Sequence, residues 1–71
     1  MKFEELQGKR VVFSGEGVPL SIRTKAWQAG ALIGTIVDKD TDLVISTNAN
    51  APKSRRAKEL GIPVIQASQM L

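Results

Sequence analysis

Three residues of this 71-residue chain could act on one ligand together: the Ser14 hydroxyl, the unhindered backbone N–H of Gly15 and the Lys53 ammonium. Donors beside a fixed positive charge are what a phosphoryl group requires, because its oxygens accept charge-assisted hydrogen bonds and its charge needs neutralising. Lys53 is the most telling of the set. It falls in the first turn of a predicted helix, where the macrodipole disfavours a cation, and a broken local rule invites a functional explanation. Arg55, Arg56 and Lys58 follow it closely, and Arg23 and Lys25 stand on an earlier predicted helix. Arg55 and Lys58 read as ordinary surface charges, with Arg55 placed to meet Glu59 at i, i+4. Arg23, Lys25 and Arg56 remain as cations beside that set that could attract further anionic groups.

Other chemistries lack their residues. The chain has no Cys and no His, which removes disulfides, thiolate nucleophiles, imidazole bases, the usual zinc sites and the Ser-His-Asp triad together. Gly15-Glu16-Gly17 after a strand begins a dinucleotide fingerprint, but Leu20 stands at the third glycine position, so glycines easing a tight strand exit are the better reading. Asp38, Asp40 and Asp42 match the first ligands of a calcium loop. Leu43 and Ala49 occupy the required Gly and Glu positions, however, so a solvated turn is expected. The acids lie in polar stretches, which does not suit paired-carboxylate catalysis. No enzyme activity, cofactor or metal is expected of this chain.

The elements that must position the three residues follow from apolar patterning. The length allows one domain with one core, and 42% hydrophobic against 24% charged residues fits a folded chain better than a disordered tail. Val11-Val12-Phe13 predict a strand over 10–14 that delivers Ser14 and Gly15 at its exit. Ser21 is expected to cap a helix with Ile22, Ala26 and Ala29 facing inward and Gly30 as its stop. Leu32–Val37 and Leu43–Ser46 predict two further strands, divided by a turn over 38–42. Asn48 to Pro52 should start a second helix over about 53–60, with Ala57 and Leu60 inward and Gly61 at its end. Ile62–Ile65 predicts a fourth strand, placed near a sheet edge by Pro63. Residues 68–71 begin a third helix or fray. Trp27, the only tryptophan, reads first as a packing residue beside Ala26 and second as a base-stacking one, and 4% aromatic content is too little for a single-strand stacking platform. Strands alternating with helices predict an α/β fold of parallel βα units.

From Leu6 onward, the order and spacing of these pieces resemble a BRCT domain, most of all the compact one at the carboxyl end of bacterial NAD-dependent DNA ligases. The resemblance is carried by Gly8-Lys9-Arg10-Val11-Val12-Phe13-Ser14-Gly15, by Ala29-Gly30-Ala31, by Thr41-Asp42-Leu43-Val44-Ile45, and by Lys53 with Ala57 through Ile65. It implies a single domain over 1–71 with its core at about 6–71, built on a four-stranded parallel sheet of order 2-1-3-4. The first and third helices would cover one face and the second helix the other. The resemblance also implies that Ser14, Gly15 and Lys53 form a phosphate pocket. In the similar domain of the replication factor C large subunit, which binds recessed 5′-phosphorylated DNA, an Arg at the start of helix one contributes. Counting from Gly15 reaches Ile22, next to Arg23. The chain departs from the ligase pattern in a shorter first helix, a third helix truncated to a stub, and Met70 where the family usually has an aromatic residue.

The expectation is therefore a non-catalytic binding module of a DNA replication or repair protein such as NAD-dependent DNA ligase, engaging DNA phosphate, including 5′-phosphorylated ends, with Arg23, Lys25 and Arg56 holding the neighbouring DNA backbone. The alternative is a protein-interaction module, pairing with another BRCT unit, a phosphopeptide or another replication or repair protein. An exposed apolar patch above about 400 Å² would favour that alternative. A net charge of +3 suits acidic partners. Apolar runs of three or four residues fall far below the ~20 that span a bilayer, and the acidic amino end lacks a secretory h-region. A cytoplasmic location, nucleoid-associated in a bacterium, or a nuclear one in a eukaryote is the corresponding expectation.

Overall fold

The computed structural model describes residues 1–70. Strands β1 (Arg10–Ser14), β2 (Leu32–Gly34), β3 (Leu43–Ser46) and β4 (Val64–Gln66) form one parallel sheet in the order β2-β1-β3-β4. Helix α1 (Leu20–Gln28) links β1 to β2, and α2 (Pro52–Glu59) links β3 to β4. Short 3₁₀ turns at Phe3–Leu6 and Ala67–Met70 complete the described chain. The expected α/β fold and its strand order are thus what the chain adopts.

Because strand side chains alternate, the sheet divides its apolar residues between two layers. Val11, Phe13, Leu43 and Ile45 face α1 and pack with Leu6, Ile22, Ala26 and Met70. Val12 and Val44 face α2 and pack with Val37, Ala57 and Ile62. The central strands β1 and β3 are covered on both faces, which is why they read as continuous apolar runs rather than as alternation.

Both helices end in the same way. The Ala31 N–H bonds the Ala26 carbonyl and the Gly30 N–H bonds that of Trp27. In α2 the matching pairs are Ile62 to Ala57 and Gly61 to Lys58. These are Schellman closures, with glycine in the left-handed position. They explain one departure from expectation. Leu60, assigned inward, stays 37% exposed at the C-cap, while Ile62 folds back through the closure and takes the core position.

Other boundaries move for identifiable reasons. The Ile22 and Arg23 N–H groups both bond the Pro19 carbonyl, so α1 starts before Ser21 and no side chain caps it. The second helix likewise has Ala51, not an Asn, at its N-cap. Pairing of β2 with β1 stops at Gly34, leaving 35–37 outside the sheet. The fourth strand begins after Pro63, whose carbonyl still accepts the Val44 N–H at 2.9 Å, and it lies at the sheet edge as expected. Glu59 pairs with Arg56 at 3.3 Å rather than with Arg55. Trp27 reverses its assigned packing role: it is 69% exposed, lying roughly 140° around the helix from Ile22 at 3.6 residues per turn.

The aspartate-rich segment is a turn. Asp38 Oδ1 accepts the Asp40 N–H, the Thr41 hydroxyl accepts the Asp38 N–H, and Asp42 Oδ2 accepts the Arg10 N–H at 2.8 Å. Met70 is buried in the α1-side core, and Leu71, the last residue of the expected third helix, lies outside the described residues. Among the described residues, no helix is long and apolar enough to cross a membrane.

Candidate functional site

In an open parallel sheet, ligands bind beyond the carboxyl ends of the strands where successive connections leave in opposite directions. Here that point lies between β1 and β3, since β1 connects outward to β2 and β3 connects the other way to β4. An open cleft of about 850 Å³ occupies this place. Its walls include Ser14 and Gly15 at the exit of β1, Thr47 and Asn48 at the exit of β3, Arg23 from α1, and Lys53 from the start of α2.

The chain ties these pieces together before any ligand arrives. The Thr47 N–H bonds the Ser14 carbonyl at 3.1 Å, and the Thr47 hydroxyl donates to the Glu16 carbonyl at 2.9 Å. These bonds draw the two strand exits so close that only glycine fits at position 15. A Cβ built there would stand 2.5 Å from Thr47 Oγ1 and 3.2 Å from the Asn48 nitrogen, and the backbone has φ +89°. Beneath the cleft, three buried serines form a hydroxyl network. Ser54 Oγ lies 2.7 Å from Ser14 Oγ and 2.8 Å from Ser46 Oγ, and both Ser46 and Ser54 reach the Asn48 carbonyl. Ser54 belongs to the first turn of α2, so the network pins the start of that helix to the ends of β1 and β3.

Of the residues singled out from the sequence, the cleft brings together Ser14, Gly15, Arg23 and Lys53. Ser14 differs from expectation in one respect: it has no exposed surface, and its hydroxyl is engaged with Ser54. It forms the floor, while Gly15 and Lys53 stand at the opening. The count that reached Ile22 or Arg23 resolves physically. Ile22 is 1% exposed in the core, whereas Arg23 is over the Phe13 ring, 5.5 Å from its centroid, on the cleft wall. Lys25 is not at the cleft; two positions along a helix point in different directions, and its ammonium sits 5.8 Å from the centroid of the Phe3 ring. Arg56 lines a neighbouring groove with Pro52 and Lys53 and is shared with Glu59.

The comparisons with known proteins align this chain with part of a larger one. It is 39% identical over 69 residues to proteins named DNA ligase from Rickettsia bellii strains OSU 85-389 and RML369-C. The match covers 93% of this chain and 10% of each relative, so the chain spans about a tenth of their length. The chain is similar to a small segment of a DNA ligase. No family model matches it, and no solved structure does.

The electrostatics of the cleft are mixed but tilted positive, with Arg23 and Lys53 opposed by Glu16. The start of α2 adds to the tilt. Pro52 has no N–H, no side chain caps the helix, and the first-turn N–H dipoles lie next to Lys53 at the cleft wall. Among the described residues, no three acids gather in a way that could hold a metal ion. Thr47, Asn48, Ser46 and Ser54 escaped the sequence reading. The available signal was weak: a serine three residues before Ala57 on the inner face of α2, and a Ser-Thr-Asn run after an apolar strand.

Proposed function

We propose that this chain is a BRCT-type, non-catalytic domain of a DNA ligase or a related replication or repair protein, and that its cleft binds a DNA phosphate. The observation that carries the reading is the meeting, at the β1–β3 switch point, of the Gly15 backbone, Arg23, Lys53 and an uncapped helix start. Gly15 would donate its N–H to a phosphoryl oxygen, Lys53 would neutralise the group, and Arg23 would bind a second oxygen or the adjoining phosphate. Ser14 would act from the floor, its hydroxyl turning from Ser54 when an oxygen enters. Arg56 would extend the contact along the backbone, and Lys25 would contribute only longer-range attraction.

This mode reads charge and geometry rather than base sequence, so binding should weaken with salt. The test is the affinity of wild type and Lys53→Ala for a 5′-phosphorylated duplex across a salt series. Loss of one phosphate contact should flatten the log–log slope by about 1. An unchanged affinity and slope would reject the cleft assignment. A second reading, protein interaction, draws support from Leu32, at 54% exposed on the β2 edge, and Ile36, at 74% exposed beyond it. Self-association in concentration-dependent sedimentation, abolished by Ile36→Lys, would favour it.

A further inference from the structure

The exposed face of α1 carries more than the cleft needs. Ile22 and Ala26 bury its inner side, and the opposite side presents Leu20 at 77% and Trp27 at 69% exposed. Arg23 lies between them in sequence, three positions after Leu20 and four before Trp27, so these residues are neighbours on one surface stripe. Helical side chains lean toward the helix start, which brings the Trp27 indole back over the turn that carries Arg23. Arg23 is itself a wall of the cleft. The only tryptophan of the chain therefore stands one helical turn from the candidate phosphate site, open to solvent.

We infer that Trp27 is a stacking platform for the terminal base of a nucleic-acid end whose phosphate occupies the cleft; the inference rests on the phosphate reading above. Charge complementarity selects this occupant over an apolar protein surface. The helix has no acid between Leu20 and Gln28, and Arg23, the cation on the Trp27 stripe, lines the cleft with Lys53 against one acid, Glu16. An indole one turn from a cation that lines the cleft suits a ligand that is both anionic and flat-faced, which describes a nucleotide. One aromatic serves one base. The platform thus suits an end, where a terminal base offers a free face, rather than a continuous single strand, which would need a succession of rings. Leu20 extends the apolar contact toward the sugar of the same nucleotide.

The single tryptophan makes the test direct. A 5′-phosphorylated duplex bearing a dye on its far end is titrated with the protein at low salt, reading dye anisotropy. The reverse titration reads Trp27 emission. The expected result is quenching of Trp27 that saturates with the anisotropy change, and Trp27→Leu binding roughly 5- to 150-fold more weakly, the span of one base-stacking contact. Trp27→Phe should recover part of the loss, because a smaller ring still stacks. An unfolding midpoint shared by all three proteins shows that the loss is one of contact. A full anisotropy response with unchanged Trp27 emission and wild-type affinity in Trp27→Leu would overturn the stacking role while leaving the phosphate site standing. No anisotropy change with any duplex at low salt would overturn both.

Discussion

Two glycines in the loop after β1 separate backbone strain from close approach. Gly15 and Gly17 both have positive φ, at +89° and +80°, so an alanine at either place pays the left-handed penalty of ~1–2 kcal/mol. Only Gly15 has a neighbour in the way. Its Cβ would overlap Thr47 Oγ1, whereas a Cβ at Gly17 meets nothing within 4 Å. Thr47 is β-branched and stiff, so making room means turning its hydroxyl from the Glu16 carbonyl, with a lost hydrogen bond of ~0.5–1.5 kcal/mol and an off-rotamer cost of similar size. Gly15→Ala should therefore destabilise by about 2–5 kcal/mol and Gly17→Ala by about 1–2. For a domain of this size, the difference of about 1–3 kcal/mol corresponds to roughly 4–24 °C in Tm. Thermal unfolding followed by far-UV circular dichroism measures it, with urea midpoints as a check that the transition stays two-state. If the two variants melt together, the tight apposition of the β1 and β3 exits is wrong, and with it the geometry of the cleft.

Three further outcomes follow from the packing. Ser54→Ala removes the partner of the buried Ser14 hydroxyl, leaving it unsatisfied, and should cost ~1–3 kcal/mol in urea unfolding; a neutral result would mean that the network does not hold α2. Ile22→Ala should cost ~2–5 kcal/mol, against less than ~0.5 for Trp27→Ala, because one is buried and the other exposed; equal losses in thermal melts would contradict the orientation of α1. Glu59→Ala breaks an ion pair whose side chains are 57% and 65% exposed, and should change stability by no more than a few tenths of a kcal/mol, so a larger shift in the urea midpoint would show an unrecognised role for that pair.

The sheet was legible because its signals are redundant. Val11-Val12-Phe13 and Leu43-Val44-Ile45 are apolar at every position, as strands covered on both faces must be, and their ends agree with the structure residue for residue. Glycines just past the helices marked both C-termini. The N-termini were misread because a cap residue predicts a hydrogen bond that tertiary position need not provide. Pro19 and Ala51 start these helices without one. Trp27 and Leu60 were misassigned for a related reason: apolar character is only a one-way guide to burial, and helical phase outweighs it. At the site, Gly15, Arg23 and Lys53 could be named because charge and punctuation show in sequence. The burial of the Ser14 hydroxyl could not, since its partner Ser54 is forty positions away and is brought near only by the crossover.

The central claim, a phosphate site at the β1–β3 switch point, is tested most directly by amide shift mapping with one duplex, with and without its 5′-phosphate, at ~50 and ~200 mM salt. The account predicts phosphate-dependent shifts concentrated at Gly15, Thr47, Asn48 and Lys53, shrinking at the higher salt. Identical shifts with both duplexes, or shifts confined to the β2 edge around Leu32 and Ile36, would contradict it.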